Sequence, residues 1–197
     1  MARTQAADYQ ERRETIINKA AELFASKGFL GTSVMDIARA CDASKSLLYH
    51  YFPSKEDVLQ GVMSSHIDRL IDNLEDVQAA PGTSEAKLDR LIKAFMADYV
   101  GAAAHQSVLL DELDNLPTDA RREIIAKQRR IVDAVQAWLV DIHPQLKNEH
   151  GKARALTMLL FGMINWTGNW YDPAGPISPD EISRLAVTMV KRAVVAD

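Results

Sequence analysis

One cysteine, Cys41, stands in 197 residues, so no disulfide can close within the chain. That fits a reducing compartment, the cytoplasm. Cys41 itself reads as a small buried hydrophobe. No apolar run approaches the ~20 residues that a membrane span needs. The first residues, MARTQAADYQERRET, lack the apolar core of a secretory signal. The Walker loop, G-x-G-x-x-G, H-E-x-x-H, G-x-S-x-G and CxxC are all missing, so no cofactor is expected. The five histidines, His50, His66, His105, His143 and His150, are scattered. His66 falls in an apolar helical pattern and reads as a packed histidine before a metal ligand. Asp111, Glu112 and Asp114 cluster, but no nucleophile or histidine is tied to them, so they read as a solvated face. No catalytic residue and no metal site is therefore expected.

Charge of one sign is also lacking. The net charge is −4, which does not announce a nucleic-acid binder. Its distribution is uneven: residues 1–55 hold eight Lys/Arg against six Asp/Glu, and the remainder fifteen against twenty-one. A basic head on an acidic body gives this pattern, although an imbalance so small is common.

What the chain does have is helical periodicity nearly throughout. No stretch alternates as a strand does, and there is no internal repeat. The expected class is all-α. Ile16, Ala20, Leu23 and Phe24 mark a first helix over 10–28, closed by Gly28. Later helices are expected over 54–79, 84–100, 105–115, 119–142 (capped by Thr118), 152–171 and 179–195. Ala80-Pro81-Gly82-Thr83, Pro144 and Asp172-Pro173-Ala174-Gly175-Pro176 separate them. Ser178-Pro179-Asp180-Glu181 is a cap, a first-position proline and a capping-box Glu.

The stretch from Thr32 to Asp57, TSVMDIARACDASKSLLYHYFPSKED, carries the most information. Ser33 with Asp36 forms a capping box. The helix it opens stops at Cys41-Asp42-Ala43, where Asp tolerates the left-handed conformation of a tight turn. Ser44 caps a second helix, Lys45 to Phe52, whose Leu48 and Phe52 face inward together. Pro53 ends it, and Ser54 with Asp57 repeats the capping box. Two short helices joined in this way are a helix-turn-helix, and the second is the right size for the DNA major groove. Its lysine suits phosphate; its Ser, Tyr and His groups suit phosphate or base edges.

SVMDIARACDASKSLLYHYFPSKEDVL resembles the DNA-binding signature of TetR-family transcriptional regulators. D-I-A, S-K-S-L-L-Y-H-Y-F and S-K-E-D-V-L follow in the family's order and spacing, and the likeness is close from Arg12 to Leu59. Asp42 departs from it, since the family often has Gly in this turn. The resemblance implies a three-helix DNA-binding head at 1–56 and a helical ligand-binding and dimerisation body at 57–197. It implies DNA contacts from Thr32, Ser33, Ser44, Lys45, Ser46, Leu47, Tyr49, His50, Tyr51 and Lys55. Lys45, Tyr49, His50 and Lys55 would hold phosphates, while Ser46 and Leu47 approach base edges. Lys55 opposes the dipole of its own helix, a cost that a phosphate over that helix end would offset. Arg3, Arg12 and Arg13 belong either to an arm that reaches phosphates or to a frayed, solvated terminus.

In the body, FGMINWTGNWYDPAGPIS resembles a helix of the family members that regulate fatty-acid and aromatic-acid catabolism, several of which sense acyl-CoA esters. That implies a small-molecule effector, and Met96, Tyr99, Leu109, Leu113 and Trp166 are expected as pocket walls. Trp166, Trp170, Asn165 and Asn169 line the pocket or pack at a subunit contact. Arg129 and Arg130, within the basic run Arg121, Arg122, Lys127, Arg129 and Arg130, would anchor coenzyme A phosphates. The bland alternative pairs that run with Asp119, Glu123 and Asp133. A homodimer through 152–171 and 179–195, on a palindromic operator, completes the expectation: a repressor released by a hydrophobic ligand. Two other classes stay open, a helical enzyme and a ligand-carrier dimer that does not bind DNA. The intact Lys45, Tyr49, His50 and Lys55 weigh against the second.

Overall fold

The structure, a computed structural model, describes the backbone of residues 2–193 and the side chains of residues 7–193. Among the described residues the regular elements are all helical: α1 (Ala2–Gly31), α2 (Val34–Ala40), α3 (Lys45–Tyr51), α4 (Lys55–Ala79), α5 (Ser84–Gly101), α6 (Ala103–Asp111), α7 (Thr118–Ile142), α8 (Lys152–Asn165) and α9 (Pro179–Arg192). No helix among them is long and apolar enough to cross a membrane.

Two compact units interleave along the chain. One is Met1–Ile67 with Ala104–Ile124, the other Asp68–Ala103 with Ile125–Asp197. A cut at residue 56 follows chain order; the first unit also takes in the start of α4, then α6 and the start of α7. Its core explains why. Val58, Leu59, Val62 and Met63 of α4 are as fully buried as Ile16, Ala20 and Phe24 of α1, Ile37 of α2 and Leu48 of α3. Gly61 lets α4 come close, because a Cβ there would sit 2.9 Å from the Phe52 ring. His66 is fully buried, its Nε2 2.7 Å from Gln106 Oε1 of α6.

In the second unit α9 packs along α5 and against α8. Leu88, Leu91, Ile92 and Phe95 of α5, with Leu160 and Ile164 of α8, are fully buried. Lys191 binds Glu85, and Lys93 binds Asp180, along the α5–α9 seam.

Several boundaries differ from expectation. α1 begins by Ala2 and not at residue 10, since nothing in ARTQAADYQ breaks a helix. Gly28 turns the chain with φ 74°, ψ 163°, as a helix-closing glycine does. Thr118 does not cap α7. Pro117 stands in that place, its carbonyl accepting the Arg121 N–H at 2.9 Å, and Thr118 is the first helical residue. α6 stops at Asp111 and a 3₁₀ turn covers Leu113–Asn115. α8 stops at Asn165 rather than 171. There the Thr167 hydroxyl donates to the Ile164 carbonyl at 2.6 Å and the chain tightens into a 3₁₀ turn, Trp166–Asn169. The end of the expected last helix, residues 194–195, and the Arg3 side chain lie outside the described residues.

Candidate nucleic-acid interface

The capping box forms as expected. Ser33 Oγ accepts the Asp36 N–H at 3.1 Å, and Asp36 Oδ2 accepts the Ser33 N–H at 2.9 Å and its hydroxyl at 2.6 Å. Those bonds from Ser33 hold the Asp36 carboxyl below its ordinary range. At the other end Asp42 takes φ 50°. The Ala43 N–H donates to Ala38 O at 2.9 Å and the Asp42 N–H to Arg39 O at 3.2 Å. This is the two-bond helix stop usually built on glycine. Cys41 at its corner is buried, and burial pushes the thiol above its usual value.

α3 is two turns long, too short to hold itself together, so it depends on its ends and its inner face. Ser44 Oγ accepts the Leu47 N–H at 3.1 Å. Leu48 and Phe52 are buried. Lys45, Ser46, Leu47, Tyr49 and His50 are left exposed together, and the Lys45 ammonium stands 5.6 Å from the Tyr49 ring centre. A short helix exposing a cation, a hydroxyl, an apolar tip, a phenol and an imidazole can meet both phosphates and base edges.

Two of the expected contacts turn inward instead. Thr32 is buried, its hydroxyl donating to Gly28 O at 2.9 Å, and so is taken up in closing the α1–α2 turn. Lys55 donates to Phe29 O at 2.8 Å and Thr32 O at 2.9 Å, and its ammonium lies 4.0 Å from the centre of the Phe29 ring. The cation that opposes the α4 dipole is thus stabilised by backbone carbonyls of the preceding turn. Ser33 and Ser44 are exposed but cap their helices, and Tyr51 is half-buried.

Sequence reasoning missed two residues beside this face. Glu112, read as a solvated acid, is half-buried; Oε1 accepts the Phe29 N–H at 3.0 Å and Oε2 accepts the Asn115 amide at 2.6 Å. Eighty-three residues separate it from Phe29, and no local pattern signals such a bond. Tyr9 stacks on Tyr51, ring centres 4.6 Å apart. Its one signal was an aromatic ring in an otherwise polar segment.

The expected effector residues are spread over both units. Leu109 is buried and Leu113 half-buried in the first; Met96 and Tyr99 are buried on α5 in the second. Asn165 is half-buried, whereas Trp166 and Trp170 are 64% and 56% exposed. Of the basic run, Arg121 pairs with Asp114, Arg122 with Asp119, Lys127 with Asp68 and Arg130 with Glu75, all at 3.0 Å or less. Arg129 is exposed. Asp133, an expected partner of the run, binds Arg154.

Residues 16–62 match the family model described as bacterial regulatory proteins, tetR family, and residues 81–194 match the tetracyclin repressor-like C-terminal domain. The chain belongs to the TetR family. It is a helix-turn-helix DNA-binding transcriptional regulator, and its relatives are regulators too. A TetR-family regulator from Bordetella parapertussis is 40% identical in a solved structure, covering 90% of this chain and 93% of that one at a TM-score of 0.86. The structure of AibR in complex with isovaleryl coenzyme A and operator DNA is 25% identical, covering 90% and 97% at 0.79. The transcriptional repressor KstR2 of Mycolicibacterium smegmatis is 28% identical over 190 residues, 91% of this chain and 88% of its own.

Proposed function

We propose that this TetR-family regulator is a cytoplasmic repressor that binds a palindromic operator as a homodimer and is released by a small hydrophobic acid carried as its coenzyme A thioester. The exposed face of α3 carries the DNA half of this reading. Lys45, Tyr49 and His50 hold phosphates, and Ser46 and Leu47 meet base edges. Ser33 and Ser44 set the two helices on the backbone.

The effector half is supported by AibR, a similar protein solved with an acyl-CoA and its operator. It is also supported by the membership of the first unit. α6 and the turn after it belong to the same compact unit as the helix-turn-helix, and Glu112 of that turn bonds the α1–α2 corner directly. An effector that displaces α6 therefore displaces the corner from which α2 starts. Leu109 and Leu113, in the same unit as Glu112, are the apolar groups proposed for ligand contact. Arg129 is the better phosphate anchor, since a phosphate at Arg130 must compete with Glu75.

The dimer half is supported by apolar side chains that the chain leaves uncovered. Met158 and Leu159 of α8, Trp166, Trp170, and Leu185 and Met189 of α9 are all more than half exposed. A second copy covers them, with α8 and α9 of each subunit in the contact.

The test uses an operator fragment selected from random duplex DNA by the protein itself. Isovaleryl coenzyme A and longer acyl-CoA esters release it at micromolar concentration, and the matching free acids do not. Release by the free acids alone, unchanged in an Arg129→Ala, Arg130→Ala variant, removes coenzyme A and leaves the effector. No release by either series removes the effector class.

A further inference from the structure

The first turns of α1 lie outside the part of the chain that matches the family's DNA-binding model, which starts at residue 16. They are nonetheless built onto the DNA-binding face. Tyr9 stacks on Tyr51 with ring centres 4.6 Å apart and 27° between planes. It also meets His50 edge-on at 6.2 Å, and His50 meets Tyr51 edge-on at 5.4 Å. One turn further along α1, Arg13 places its guanidinium 5.1 Å from the centre of the Phe52 ring. Tyr9 and Arg13 are four apart, so one face of α1 reaches the last three residues of the α3 segment.

We propose that Tyr9 is a positioning residue for DNA binding, fixing the ring of Tyr51 and through it the exposed His50 at the end of α3. The physical need is clear. α3 has two turns, its inner face offers only Leu48 and the following Phe52, and its C-terminal rings have no other aromatic neighbour among the described contacts. A free tyrosine and histidine there sample several rotamers, and each phosphate contact then costs the entropy of ordering them. Stacking on Tyr9 orders them beforehand. A direct phosphate site in the same cleft is the weaker reading, since Asp8 and Glu11 line it together with Arg12 and cancel its charge.

The experiment measures operator affinity, by anisotropy with the selected fragment, for Tyr9→Ala, Tyr9→Phe, Tyr51→Ala and the Tyr9→Ala, Tyr51→Ala pair, with thermal melts alongside. Tyr9→Ala weakens binding about three- to tenfold, the range expected for one aromatic pair. Tyr9→Phe keeps the ring and stays within about twofold of wild type. In the Tyr51→Ala background Tyr9→Ala loses most of its effect on affinity, because the ring it stacks on is gone and only its edge contact with His50 remains. Equal losses for Tyr9→Phe and Tyr9→Ala overturn the proposal, since the hydroxyl then acts on DNA itself. So does an unchanged affinity in Tyr9→Ala, or additive losses in the pair. A melting point lowered in Tyr9→Ala but restored in Tyr9→Phe without recovery of affinity overturns it as well.

Discussion

Lys55→Met separates two roles for one cation. In the structure the ammonium gives hydrogen bonds of 2.8 and 2.9 Å to the carbonyls of Phe29 and Thr32 and lies over the Phe29 ring. Both residues that supply the carbonyls are buried, so water replaces the lost donor poorly. A hydrogen bond from a charged donor contributes about 1.5 kcal/mol at the low end, and the ring contact about 0.5–1. Against this, removing a cation from the first turn of α4 relieves about 0.3–1 kcal/mol of dipole opposition. With two such bonds the net loss is about 2.5–3.7 kcal/mol, with methionine keeping most of the apolar stem. For a chain of this length that is a fall in melting temperature of about 5–15 °C. Calorimetry or a thermal melt reads it directly. Operator affinity measured against salt reads the other role: a lysine that holds a phosphate takes about one unit off the slope when removed. The structure calls for a large fall in stability and little change of slope. An unchanged melting temperature with the slope down by about one refutes the reasoning and returns Lys55 to the DNA.

The outward face of α3 is tested by Ser46→Ala, which should change the sequence preferred in a random-duplex selection while leaving the salt slope intact; a loss equal on all sequences assigns Ser46 to the backbone instead. The dimer is tested by Met189→Asp, at a site 62% exposed in the single chain. Burying that unpaired carboxylate against a second copy costs several kcal/mol of association, so light scattering should report one chain where the wild type gives two. A wild type that is monomeric at micromolar concentration ends the dimer reading.

The helix-turn-helix was legible because its signals are local. Ser33, Ser44 and Ser54 each cap the helix that follows, and Asp57 accepts the Ser54 hydroxyl at 2.6 Å. Asp42 takes the left-handed turn that its short polar side chain permits. What could not be read is direction in three dimensions. Lys55 and a DNA phosphate offer the same chemistry from the same helix end, and only the fold brings two carbonyls, 23 and 26 residues earlier, to the ammonium. Thr32 sits beside the polar signature in sequence yet closes a turn in space. Glu112 carries no periodicity at all; its long-range partner is one backbone N–H on another helix. The caps thus outline the motif, while the groups that fasten it to the rest of its unit depend on tertiary approach.

The body shows the complementary limit. The run Ile182, Leu185, Ala186, Met189, Val190 reads as one apolar stripe, since its steps alternate between three residues and one. The structure divides it. Ile182, Ala186 and Val190, with Val187, are buried, and Leu185 and Met189 look outward. α8 divides likewise, with Leu156, Leu160 and Ile164 buried and Met158 and Leu159 exposed. Periodicity says which side chains share a side of a helix, not how many neighbours that helix has. A stripe wider than the chain's own helices can cover implies a further neighbour; among the described residues α9 meets α5 and α8, and Leu185 and Met189 still face outward. Trp166 and Trp170 follow the same logic. As pocket walls they would be enclosed by their own chain; left more than half exposed beside the outer residues of α8, they belong with the surface proposed to meet a second copy.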